Sequence, residues 1–310
     1  MAEIHPEMQV LIDASAAAGP DGDTVEAKRA SWRAYTDALN RPAPASMAIE
    51  DRTVAAEPPV AVRVYRPEGP AGPRPCIIYM HGGGFMLGDL DSSDSIAWGF
   101  AEGAGAVVVS VDYRLTPENP YPAAVDDCRA VLLAVAQEPA AWGIDPARIA
   151  LAGDSAGGNF TASLALWARD RGGPALACQV MVYPSTGLDQ DYPSYVEHAD
   201  SPGLTTAGTK KYRDLYLPHD RETSDPYARP VMAESHAGLP PAWVHAAGID
   251  PIRDDARVYA SKLAAAGSQV CYREARGMIH GFMRARFTGA DAAHEYGLIC
   301  RFLKSQLAES

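Results

Sequence analysis

Nowhere in its 310 residues does the chain hold an apolar run long enough to span a bilayer. Basic charge is scarce as well: 27 Lys and Arg stand against 39 Asp and Glu, a net charge of -12. That balance argues against nucleic acid or an anionic membrane surface as a partner, since both need a basic face. Cysteine is sparse, odd in number and scattered: five in all, Cys76, Cys128, Cys178, Cys271 and Cys300, with no C-x-x-C pair. Such a set suits reduced thiols and neither a disulfide framework nor a zinc site. Cys76, Cys178 and Cys271 open or sit in apolar segments and read as small core residues. The opening, Met1-Ala2-Glu3-Ile4-His5-Pro6-Glu7, lacks the basic start and apolar run of a signal peptide, so the expected location is the cytoplasm. Internal repeats, low-complexity tracts and an interdomain linker are also missing.

What is present is a globular composition, 47% hydrophobic and 21% charged, in a chain long enough to bury a sizeable core. Residues 1–50 carry helical patterns, broken at Gly19-Pro20-Asp21-Gly22 and at Arg41-Pro42-Ala43-Pro44. The second helix, residues 24–39, puts Trp32, Tyr35 and Leu39 on one stripe. From Val60 the pattern changes. Val60-Ala61-Val62-Arg63-Val64-Tyr65 alternates like a half-exposed strand, whereas Cys76-Ile77-Ile78-Tyr79-Met80 and Ala106-Val107-Val108-Val109-Ser110-Val111 are apolar throughout, as central strands are. Further strands are expected at 148–152, 179–183, 242–246 and 269–274, and helices at 123–136, 156–168, 254–266 and 292–307. This alternation specifies an α/β fold, a mostly parallel doubly wound sheet flanked by helices. The stretch between Pro184 and Pro240 has no sheet-like run, and so long an insertion in a compact domain calls for a purpose, such as covering a site.

Two motifs sit at expected strand ends. Gly153-Asp154-Ser155-Ala156-Gly157 joins the strand at 148–152 to a helix, the G-x-S-x-G pattern of a serine on a strained strand-to-helix turn. Side chains in place of its two glycines would collide where strand and helix nearly touch. The helix beginning at Ala156 aims free N–H groups and its positive end at the space above Ser155. His81-Gly82-Gly83-Gly84-Phe85 follows the Cys76–Met80 run, and consecutive glycines let backbone N–H groups point at a ligand. Neither Lys-Ser nor Lys-Thr comes after it, so a nucleotide P-loop fails. What remains is an oxyanion hole built from the N–H groups of Gly83, Gly84 and Ala156.

In a sheet that presents its nucleophile at such an elbow, the acid and then the histidine follow the serine in the chain. Of the eight histidines, His198, His219, His236, His245, His280 and His294 qualify by order. His245 lies in a strand run, His294 in the last helix, and His198, His219 and His236 in or beside the insertion. His280, in Gly277-Met278-Ile279-His280-Gly281-Phe282 just after the last strand, is the expected base. Asp250, in the loop after the 242–246 strand, is the expected acid. Asp254 and Asp255, in the first turn of the next helix, read as capping or solvated groups.

Together these residues resemble the bacterial hormone-sensitive-lipase-like esterases (family IV), in the GDSAG subgroup of the α/β-hydrolase fold. The motifs that carry the resemblance are His81–Phe85, Tyr113-Arg114-Leu115-Thr116-Pro117-Glu118, Gly153–Gly157, Asp250-Pro251-Ile252-Arg253-Asp254 and His280-Gly281-Phe282. Thr116, Asn119, Ile252 and Met278 depart from the residues usual at their places without removing a catalytic group. The resemblance implies a single α/β-hydrolase domain over 1–310, with a small helical cap formed by 1–50 and 187–225. It implies a carboxylesterase for short- to medium-chain acyl esters that works through Ser155, His280 and Asp250 and needs neither metal nor cofactor. It also implies a structural network for the Tyr113–Glu118 motif and a homodimer paired through the edge strand at 269–274. A hormone receptor of the same fold would be expected to lack the base, which His280 supplies. Lactonase, amidase or peptidase action on the same triad stays open, because leaving-group choice lives in the pocket walls.

Overall fold

The computed structural model describes residues 3–19 and 22–308. Met1 and Ala2, the middle of the expected break at Pro20 and Asp21, and the last two residues lie outside the described part. The helices in chain order are α1 (Gln9–Ala18), α2 (Val25–Leu39), α3 (Asp94–Ala104), α4 (Ala123–Gln137), α5 (Pro139–Trp142), α6 (Ala156–Arg171), α7 (Pro193–Glu197), α8 (Thr206–Tyr216), α9 (Arg253–Ala265) and α10 (Ala290–Gln306). The strands are β1 (Ala48–Val54), β2 (Val60–Arg66), β3 (Arg74–Met80), β4 (Val107–Asp112), β5 (Ile144–Asp154), β6 (Cys178–Val182), β7 (Ala242–Ile249) and β8 (Val270–Ile279).

They form one sheet of eight strands in the order β1-β2-β4-β3-β5-β6-β7-β8. β1 and β2 are antiparallel to their neighbours, and every pairing from β4 to β8 is parallel. The apolar runs are continuous because successive side chains enter different cores. Ile78, Val107 and Val109 pack with Val125 and Leu132 of α4 and Phe160 and Leu164 of α6. Ile77, Tyr79 and Val108 pack on the other face with Ile96 and Phe100 of α3 and Ile299 and Leu303 of α10. Between β6 and β7 the chain carries α7, α8 and a short 3-10 turn at Pro230–Met232. Among the described residues that insertion contains no strand, as expected.

The chain goes from β3 to β4 on one side and returns to β5 on the other, with α3 and α4 on opposite faces. The carboxyl ends of β3 and β5 therefore flank a topological switch point, where open α/β sheets form their clefts.

Three expectations need correcting. Cys271 is exposed and not a core residue. It stands on β8, which has β7 on one side and, among the described residues, no strand on the other. Asp254 and Asp255 are buried and not solvated, because the insertion folds back over the start of α9. Ser194 N donates to Asp254 Oδ2 at 2.9 Å. Thr186 N and Leu188 N donate to Asp255 Oδ1, and the Tyr195 hydroxyl donates to its Oδ2 at 2.7 Å. Burial pushes the Asp255 carboxyl up to about 6 despite those donors.

Candidate active site

The floor of the site is made by five strand ends. Ser155 follows β5 with φ 55° and ψ -115°, a conformation that a side chain adopts only where its surroundings hold it. Its N–H donates to Val182 O at 2.9 Å, and its carbonyl accepts from Ser185 N at 3.1 Å, which fixes the turn to β6 and the chain beyond it. The reason for glycine at 157 is geometric. A methyl there would overlap the Met80 carbonyl oxygen, so α6 could not begin this close to β3.

The glycine loop after β3 is held from several sides. His81 Nδ1 lies 2.8 Å from Gly82 O, and its ring stacks on Tyr113 with centroids 4.3 Å apart. The Tyr113 hydroxyl donates to His81 O at 2.7 Å. Burial lowers the pKa of His81, which keeps the ring neutral, and its contacts with Gly82 O and the Tyr113 hydroxyl order the loop. Thr116 N donates to Phe85 O at 2.9 Å, and Arg114 pairs with the buried Asp127 at 2.7 Å. The Tyr113–Glu118 motif is thus a brace beneath the loop. Gly83 and Gly84 both have positive φ, 136° and 58°. Among the described residues no group accepts from their N–H atoms. The Ala156 N–H opens α6 and is free of an intrahelical partner.

His280 directly follows β8. Its Nε2 lies 2.9 Å from Ser155 Oγ and its Nδ1 lies 2.7 Å from Asp250 Oδ2. Asp250 is fully buried after β7, and its Oδ1 accepts the Ile252 N–H at 3.0 Å, which sets the carboxylate plane. The imidazole ring also packs on Tyr183, centroid to centroid 4.7 Å. The remaining histidines that follow Ser155 are engaged elsewhere or exposed. His198 Nε2 meets Arg253 at 2.8 Å, His236 meets Pro230 O at 3.2 Å, and His245 is buried 3.1 Å from Glu295. His219 and His294 are exposed.

Sequence reasoning left Asp154 without a role. It is buried; its Oδ1 accepts from Gly82 N at 3.0 Å and from the Tyr79 hydroxyl at 2.7 Å. The elbow motif therefore holds the glycine loop by its own aspartate. The phenol of Tyr79 is pushed well above its ordinary pKa by burial and then by the Asp154 charge, so it stays a donor. The signal was legible in part, since an acid at the inner end of a buried strand needs donors. Its partners, however, come from β3 and the loop after it, distant in sequence.

Above the floor lies a cavity of about 210 Å³, lined by Ser155, Gly83, Gly84, Ala156 and His280. Its far walls come from α1 and α2, through Leu11, Trp32 and Tyr35, and from the insertion, through Tyr195, Leu204 and Tyr212. Asn159 of α6 ties the insertion to the floor by donating to Ser185 O at 2.8 Å and Ala228 O at 3.1 Å.

Residues 77–284 match a family described as having the alpha/beta hydrolase fold. The chain is 41% identical over 313 residues to carboxylesterase NlhH of Mycobacterium tuberculosis, covering 98% of this chain and 97% of that one. It is 34% identical over 226 residues to an ethyl acetate hydrolase of Pseudomonas putida, covering 72% of this chain and 71% of the relative. Superposed on the crystal structure of a thermostable esterase from Pseudomonas putida, it gives a TM-score of 0.93 at 30% identity, with 99% of each chain covered. Fold, motifs and relatives agree: the chain belongs to the hormone-sensitive-lipase-like esterases of the alpha/beta hydrolase family, and it is a serine carboxylic ester hydrolase.

Proposed function

We propose that Ser155, His280 and Asp250 form the catalytic triad of a carboxylesterase for short- to medium-chain acyl esters. The observation that carries this reading is the His280 imidazole, 2.9 Å from Ser155 Oγ and 2.7 Å from Asp250 Oδ2. Ser155 Oγ attacks the ester carbonyl carbon while His280 Nε2 takes its proton, and Asp250 holds the ring by Nδ1–H and stabilises the imidazolium. The carbonyl oxygen gains negative charge and receives N–H bonds from Gly83, Gly84 and Ala156, each worth roughly 3 kcal/mol of barrier. His280 then gives its proton to the departing alkoxide, leaving an acyl group on Ser155. A water molecule, deprotonated by His280, repeats the attack and releases the acid.

The N-terminal segment 1–50 and the insertion 187–225 act as a cap in this proposal. Support comes from the aromatic residues that both contribute to the cavity walls. A cavity of about 210 Å³ favours short to medium acyl chains, and a relative named for ethyl acetate hydrolysis agrees with that. The uncovered edge of β8 is read as a pairing surface for a second copy, and a monomer by light scattering at micromolar concentration would contradict it. We assign the enzyme to the cytoplasm. No helix among the described residues is long and apolar enough to cross a membrane.

Ser155→Ala tests the triad. Hydrolysis of para-nitrophenyl butyrate should fall by about 10⁴-fold or more with the circular dichroism spectrum unchanged. Retained turnover would sink the assignment. An acyl series from acetate to laurate should peak at or below medium length.

A further inference from the structure

Three guanidinium groups line the cavity, those of Arg213, Arg229 and Arg284. Two of them share a carboxylate: Arg229 Nη2 lies 2.6 Å from Asp189 Oδ1 and Arg213 Nη1 lies 3.6 Å from the same atom. Arg284 differs. It is only 5% exposed, yet among the described residues no carboxylate stands within ion-pair distance of it. Asp154 also lines the cavity, but its oxygens already serve Gly82, Tyr79 and Tyr183.

Among the described residues the side chain of Arg284 makes one hydrogen bond, from Nη1 to Ser92 O at 2.8 Å, and packs over the Trp32 ring at 5.3 Å. A guanidinium carries more donors than that single carbonyl uses, and it stays charged at every working pH. The groups around it are donors too. Trp32 Nε1 is buried without a hydrogen-bond partner. The Tyr35 hydroxyl lines the same cavity, also has no partner among the described residues, and is kept protonated by burial. Arg284 lies on the 3-10 turn Phe282–Phe287 that begins right after His280 and Gly281, and Arg284, Trp32 and Tyr35 all line the reacting centre's own cavity. A buried charge and an orphaned indole N–H are costly unless something completes them.

We propose that Arg284, with Trp32 and Tyr35, is a recognition site for a carboxylate carried by the ester substrate. The preferred substrates are then half-esters of dicarboxylic acids or acyl esters of hydroxy acids. A planar carboxylate matches the guanidinium fork in a bidentate pair and has lone pairs left for the indole and phenol. This inference rests on ester hydrolysis in the same cavity, and neutral esters provide the separate check on that.

The test compares two matched pairs of substrates: mono-para-nitrophenyl adipate against para-nitrophenyl hexanoate, and para-acetoxybenzoate against phenyl acetate. The first pair puts the carboxylate on the acyl side and the second on the alcohol side. In at least one pair the wild-type kcat/KM for the charged ester should equal or exceed that for the neutral one. Arg284→Gln should lower that ratio by roughly thirty-fold, with Arg284→Lys in between. Should Arg284→Gln fail to fold, Trp32→Phe keeps the ring face, loses the N–H, and should lower the same ratio by about three-fold or more. Wild-type rejection of both charged esters, or ratios unmoved by the substitutions, would overturn the proposal. Turnover of the neutral esters in the same assays would leave the esterase reading standing.

Discussion

The floor and the proposed cap of this enzyme are built by different means. In α6, at the floor, every residue from Ala156 to Leu166 is buried, and the loops around it are fixed by backbone bonds and buried acceptors. In α2 only Thr36 and Leu39 are buried, and in α8 only Tyr216. The cap helices are held by aromatic contacts and by ion pairs near solvent, such as Arg29 with Glu118 at 2.8 Å and Arg33 with Asp89. Reaction chemistry needs sub-ångström placement and sits where the chain cannot shift. The outer walls of the cavity sit instead on elements whose loss of one contact costs little.

Substitutions on the two sides of the cavity should therefore differ in size. The largest effect on stability is expected from Asp154→Ala, which leaves Gly82 N–H and two tyrosine hydroxyls without their acceptor. Stability should fall by about 3 kcal/mol in a urea melt. The value of kcat should fall by on the order of 10²-fold as the oxyanion donors loosen, with KM changed far less.

Asp255 sits on the seam between floor and insertion. Asp255 has a folded pKa of about 6, raised by burial above its ordinary value. Below both values the group is protonated in the folded and unfolded states alike. Between about 4 and 6 the unfolded chain releases the proton while the folded chain keeps it, so this group's contribution to stability is lost as pH rises through 6. Asp255→Asn keeps an oxygen for Thr186 N and Leu188 N. Its stability relative to wild type should improve by on the order of 2 kcal/mol from pH 4 to pH 7 and then stay level. A flat difference across that range would contradict the burial argument. The smallest effect is expected in the proposed cap: Arg33→Ala, at the exposed pair with Asp89, should cost under about 1 kcal/mol and shift KM more than kcat. A larger loss of stability there would erase the contrast between the two regions.

The same contrast governs what could be read from sequence. Ser155, the glycine loop and His280 were legible because their chemistry demands fixed residue types at strand ends in a fixed order. The central strands were legible because burial on both faces makes them continuously apolar. β1 was missed: Glu50, Asp51 and Thr53 are exposed on an outer strand, so no apolar period marks it. α3 was missed too, since Gly99 and Gly103 lower its helix propensity. Its glycines instead make room for Arg286 and Tyr296 at one and for Cys300 at the other. Asp254 and Asp255 looked like first-turn acids because the chain that buries them comes from residues 186–195, beyond any local pattern. Asp250 and its neighbours show the limit clearly. Its place in the loop singled out Asp250 as the expected acid, and it stands 2.7 Å from His280, whereas the surroundings of Asp254 and Asp255 are set by tertiary contacts.

The central claim is that Ser155 carries the acyl group. Incubation with a para-nitrophenyl alkylphosphonate, followed by peptide mass spectrometry, tests it most directly. The account predicts a single phosphonyl adduct on the peptide holding Ser155, formed with loss of activity and absent from His280→Ala. An adduct on another residue, or full inactivation with Ser155 unmodified, would contradict it.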